Sequence, residues 1–161
     1  MNEHSVLTLL LQEFYDKLKS LHDLVPRIAT FPNVENKINV AIGMRRTGKT
    51  YFVFEKIIQL LNRGIARTEI LYINLEDDRL LPLSASKLAK LLDAFYSIYP
   101  ENHEKKCYFF LDEIQNVDDW AIVIRRFFDS KNVAIFLTGS SAKLLSKEIA
   151  TSLRGRSLAT E

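Results

Sequence analysis

INVAIGMRRTGKTYFVFEKIIQLL, residues 38–61, is the stretch on which the fold turns. Its first five residues form an apolar, β-branched run of the kind that makes a buried strand. Gly43 to Thr50 then match the spacing G-x-x-x-x-G-K-[ST], and residues 51–61 set apolar side chains at helical intervals. In strand–loop–helix order this spacing has a physical purpose. The glycines permit a tight turn whose successive N–H groups point inward at a phosphate, and the following helix adds its N-terminal partial positive charge. Lys49 is spaced to reach β- and γ-phosphates, and the Thr50 hydroxyl to bind Mg2+. The expected nucleotide cradle is therefore Gly43, Met44, Arg45, Arg46, Thr47, Gly48, Lys49, Thr50 and Tyr51. Within it Arg45 and Arg46 read either as added charge near the phosphates or as solvated side chains against a neighbouring element.

Outward from this segment, strands and helices alternate. Leu7, Leu10, Leu11, Phe14, Leu18 and Leu21 give residues 5–21 a helical period, before Pro26 and Pro32 break it. The helix after the loop should stop at Asn62-Arg63-Gly64, a C-terminal cap. ILYINL (70–75) reads as a second strand ending in Glu76, Asp77 and Asp78, and CYFFL (107–111) as a third ending in Asp112 and Glu113. Between them Ser84 or Ser86 can cap a helix that uses Leu88, Leu91, Leu92, Phe95 and Ile98. Asp118 or Asp119 can cap another through Phe128, with Trp120, Phe127 and Phe128 as core. VAIFLT (133–138) is a fourth strand. Gly139-Ser140-Ser141 opens a helix to about Leu153, and SLATE begins a fifth strand. The alternation predicts an α/β fold, a three-layer sandwich with a mainly parallel sheet covered on both faces. The sequence divides into an N-terminal helical segment, 1–26, and a main domain, 27–161, whose ending suggests a piece of a longer protein.

Composition excludes several classes. With 161 residues, 47% of them hydrophobic, the chain can bury one core. Its 22 basic and 20 acidic residues give a net charge of +2, no footprint of a nucleic-acid binder. No apolar run approaches the roughly 20 residues of a membrane span, and MNEHSV lacks the basic segment and small-residue cleavage site of a secretory signal. Cys107 is the only cysteine, so no intrachain disulfide can form and a reducing, cytoplasmic setting is expected. His4, His22 and His103 have no ligand spacing with it, so no structural zinc is expected.

Holding a nucleotide is not hydrolysing it. Hydrolysis needs a carboxylate near the metal and a second group to orient the attacking water. Asp112, at the end of a uniformly apolar strand, suits Mg2+, and Glu113 suits the water. The acidic end of the 70–75 strand is a competitor, and a metal there would make the chain resemble a P-loop kinase. Asn74 interrupts that strand, however, and the VAIFLT strand ends in Thr138 and Ser140, polar groups able to sense a γ-phosphate.

Taken in order, GMRRTGKT, ILYINLEDDRL, YFFLDEIQNVDDW and FLTGSSAKLLSKEIATSLRGRS resemble the AAA+-type P-loop ATPases of bacteria and archaea, whose ATPase domain precedes a C-terminal domain. The resemblance runs from about Arg27 to the last residue. It implies a P-loop NTPase of the additional-strand (AAA+/ASCE) type that binds ATP with Mg2+ and hydrolyses it. Lys49 and Thr50 would be its Walker A residues, Asp112 and Glu113 its Walker B pair, and Ser140 or Thr138 its sensor. Arg154 or Arg156 would be an arginine finger, reaching a neighbouring copy in a homo-oligomer. Such fingers are worth about 10³–10⁵ in rate. The alternatives for these two arginines are caps on their own helix. The alternative for the whole chain is a nucleotide-gated switch with negligible hydrolysis. Many relatives carry Pro where this chain has Met44, and the family's C-terminal domain is missing. Arg27 can approach the nucleotide base or stay on the surface, and EDDRL has no role readable from the residues.

Overall fold

The computed structural model describes residues 2–21, 38–42, 49–140 and 157–160, with 42, 49, 50 and 157–160 described by their backbone alone. Among the described residues the principal elements are, in order, α1 (Glu3–Ser20), β1 (Ile38–Ile42), α2 (Lys49–Asn62), β2 (Ile70–Asn74), α3 (Ala85–Ile98), β3 (Cys107–Asp112), α4 (Trp120–Ser130), β4 (Val133–Gly139) and β5 (Ser157–Thr160). Every strand expected from the sequence is present. The helix expected after Ser141 lies outside the described residues.

Local chemistry accounts for most boundaries. The Asn2 side chain accepts from the Ser5 N–H and caps α1, and Ser84, rather than Ser86, caps α3 by accepting from the Lys87 N–H. Gly64, at φ 94°, closes the turn after α2 in a conformation that suits glycine. Asp119 precedes α4 but accepts no capping bond there. It sits in the left-handed region at φ 58°, which a short polar side chain tolerates.

The five strands lie in the order β2-β3-β4-β1-β5, and every pairing is parallel. β4 thus separates β3 from β1, as expected for an additional-strand sheet, while β2 sits at an edge. Strand alternation gives the sheet two distinct faces. Phe109 points toward Phe95 and Tyr96 of α3 and Phe127 of α4, with ring centroids 5.7, 6.1 and 6.3 Å away. Its neighbour Phe110 points the other way and stacks on Phe136 at 4.6 Å. Tyr72 shares that second face by register with Phe110 and meets Phe54 of α2 at 4.8 Å. α1 packs on α3 and on the edge strand β2, and its Val6, Leu7, Leu11, Phe14 and Tyr15 belong to the same hydrophobic core as the sheet. Trp120 and Phe127 are buried core residues, with Phe128 packed against them.

Candidate active site

Because all strands run parallel, their C-terminal ends emerge along one edge, where open α/β sheets bind ligands. Ile42, the last residue of β1, lies beside Gly139 of β4, and Leu111 of β3 lies beside Leu137. The phosphate-loop strand, the Asp112–Glu113 strand and the polar tip of β4 therefore end together. Lys49 and Thr50 open α2 just beyond β1, with the helix N-terminus at the loop. Gly43 to Gly48, Arg27, Arg154 and Arg156 lie outside the described residues, and so do the side chains of Lys49 and Thr50. Tyr51, the last cradle residue, is exposed at the first turn of α2.

The carboxylates stand in a network that the sequence only partly foreshadows. Asp112, Glu113 and Thr138 are all buried. The Thr138 hydroxyl donates to Asp112 Oδ1 and accepts from the Glu113 N–H at 3.0 Å. From the opposite side, the Tyr72 hydroxyl donates to Asp112 Oδ2 at 2.8 Å. Burial first, and then the adjacent Asp112 carboxylate, push the Tyr72 hydroxyl well above the usual phenol range, so it remains a donor. Of the two sensor candidates, Thr138 bonds both acidic residues. Ser140, just past the end of β4 and half-buried, has no hydrogen bond to either among the described residues.

Glu113 adopts φ 60°, ψ 53°, a left-handed conformation that costs a side-chain-bearing residue of order 1–3 kcal/mol and persists only where its surroundings impose it. The surroundings do impose it. Thr138 holds its N–H, Asn116 Nδ2 donates to its carbonyl oxygen at 3.0 Å, and Gln115 Nε2 donates to Oε2 at 2.6 Å. Gln115 and Asn116 escaped the sequence reading, although their place in DEIQN, directly after the acidic pair, was a signal. Tyr72 escaped it as well, its hydroxyl hidden inside an apolar strand.

In the competing acidic turn, Asn74 and Asp77 serve the turn itself. Asn74 Oδ1 accepts from the Glu76 N–H, while Asp77 caps a short 3-10 turn and pairs with Arg79 at 2.6 Å. Arg79 also forks onto Glu13 of α1, Nη1 to Oε2 at 2.6 Å and Nη2 to Oε1 at 2.8 Å. EDDRL thus ties α1 to the tip of β2. Among the described residues no helix is long and apolar enough to cross a membrane.

Known proteins agree with this architecture. A family model described as AAA domain matches residues 35–161. The chain is 49% identical over 128 residues to uncharacterized protein MJ1544 of Methanocaldococcus jannaschii, an overlap covering 80% of this chain and 26% of that protein. It is 36% identical over 122 residues to an uncharacterized protein of Haemophilus influenzae, covering 74% of this chain and 29% of that one. The chain therefore spans less than a third of the length of these relatives. Among solved structures, C. elegans PCH-2 superimposes with a TM-score of 0.52 at 18% identity, over 99% of this chain and 42% of that one, a likeness of fold. A sheet with β4 between β3 and β1, a phosphate-loop spacing and a family match over most of the residues lead to one conclusion: the chain belongs to the AAA domain family of P-loop nucleotide-binding folds.

Proposed function

We propose that this domain binds ATP with Mg2+ and hydrolyses it to ADP and phosphate. The observation that carries the reading is the Asp112–Glu113 pair at the end of β3, buried and bonded to the polar tip of the intervening strand β4. In this reading residues Gly43 to Tyr51 cradle the phosphates, and Lys49 neutralises charge on the β- and γ-phosphates. Thr50 and Asp112 would hold Mg2+, which suits their hard oxygen donors. The ion, when bound, neutralises charge on the phosphate oxygens. Glu113 accepts the proton of the attacking water, and its bond to Thr138 and those from Asn116 and Gln115 keep it aimed. Ser140 or Thr138 reports on the γ-phosphate, and the hydroxyl network favours Thr138. Arg154 or Arg156 supplies a finger to a neighbouring copy in a homo-oligomer. A reducing, cytoplasmic setting fits nucleotide chemistry and the buried thiol of Cys107.

The test is Mg2+-dependent ATP hydrolysis measured beside nucleotide binding. Glu113→Gln should keep ATP affinity and lower turnover by about 10²–10⁴-fold, the scale of a general base. Lys49→Ala should lose affinity itself. Turnover that persists unchanged in Glu113→Gln would remove Glu113 from the role of base. Binding without turnover in both the parent chain and the variant would favour the nucleotide-gated switch.

A further inference from the structure

We propose that Tyr72 is a positioning residue for the metal-binding carboxylate, its hydroxyl fixing the orientation in which Asp112 meets Mg2+. The proposal rests on reading Asp112 as that carboxylate. An aspartate carboxyl at a strand end turns through a broad, nearly two-fold torsion, so its rotamer alone does not set the plane of its oxygens. Here two hydroxyls set it. Tyr72, on β2, donates to Oδ2 at 2.8 Å, and Thr138, on β4, donates to Oδ1. β2 and β4 flank β3 on opposite sides, so the carboxylate is held from both. Each donor takes one of the roughly four lone-pair sites of an ionised carboxylate and leaves its charge in place for a cation.

The phenol is itself held. Its ring lies 4.8 Å from Phe54 on α2, the helix that opens at Lys49 and Thr50, and stacks at 5.8 Å on Phe14 of α1. The residue before Phe14 is Glu13, which Arg79 grips from the turn after β2. Ring, helix and acidic turn form one chain of contacts ending at Asp112, so α1 and EDDRL gain a role at the site through packing. A tyrosine serving only as core would need its ring and not its hydroxyl, and the two roles part at Tyr72→Phe.

The experiment titrates Mg2+ against the full chain with a fluorescent ATP analogue, reading nucleotide binding and turnover, for the parent, Tyr72→Phe and Asp112→Asn. Removing a hydrogen bond to a metal-binding carboxylate typically costs about 10-fold or more in metal affinity. Tyr72→Phe should therefore raise the Mg2+ concentration for half-maximal binding about 10-fold. It should keep affinity in EDTA within about twofold and recover most of its turnover at saturating Mg2+. A half-saturation within about twofold of the parent, while Asp112→Asn shifts it, overturns the proposal and leaves the metal reading of Asp112 standing. Equal weakening with and without Mg2+ overturns it too, since that marks a general structural role. If Asp112→Asn leaves the Mg2+ dependence unmoved, the reading of Asp112 fails and the proposal falls with it.

Discussion

Replacing Thr138 by valine tests whether its hydroxyl organises the acidic strand end. The side chain is fully buried, and its single hydroxyl makes two bonds, one given to Asp112 and one received from the Glu113 N–H. Valine nearly preserves the shape, so little cavity opens, but both bonds go. A hydrogen bond to a charged group is worth about 1.5–3 kcal/mol, and a buried N–H left without a partner costs about 1–3 kcal/mol. Allowing for overlap between the two, Thr138→Val should lower stability by about 3–5 kcal/mol. With a urea slope of about 2–3 kcal/mol per M, the unfolding midpoint should fall by about 1–2.5 M with the slope unchanged. Thr138→Ser keeps the hydroxyl and loses one methyl, a cost of about 1 kcal/mol. Ser140→Ala should stay within about 0.5 kcal/mol of the parent, since Ser140 is half-buried and bonds neither acidic residue among the described residues. The measurement is a pair of urea curves, by fluorescence and by circular dichroism, that must coincide for two-state analysis. Equal midpoints for the valine and serine variants would refute the reasoning, because the hydroxyl would then carry nothing.

Two further outcomes follow from the same geometry. The Cys107 thiol is buried at the start of β3, and desolvation pushes its pKa to about 11; at pH 8 it should resist alkylation in the folded chain and react at least 100-fold faster once urea unfolds it, and comparable rates would contradict its burial. Asp77 is held below the ordinary carboxylate range, first by the hydrogen bond from Arg79, so its pairing stabilises the fold above its unfolded pKa and is lost as pH falls through the lower folded value; Arg79→Ala should lower Tm by about 2 °C at pH 7, with the difference shrinking as pH falls below the ordinary carboxylate range, and a difference undiminished in acid would mean the pair is not its source.

What the residues reveal alone is local. Each strand is readable because its apolar run is bounded by polar turns, and each helix because its apolar positions repeat with the helical period. The phosphate loop is readable because a backbone cradle requires glycines and a lysine at a set spacing. The acidic pair is readable because it closes an apolar strand. Whether Thr138 or Ser140 meets those acids stays open in the sequence, since both are small hydroxyl residues at the tip of one apolar strand.

Tertiary structure decides that question through register, which pairs Leu111 with Leu137 and so brings the residues that follow, Asp112 and Thr138, side by side. The strand order is decided in the same way, because a strand's own sequence marks its buried faces but not its neighbour. Tyr72 reaches Asp112 across 40 residues, and Arg79 reaches Glu13 across 66. Neither pairing has a periodic signature, for hydrophobic patterning records which side is buried and never which polar group waits there. The chain's chemistry is written in short motifs, while their alignment into one site exists only once five strands have found their places.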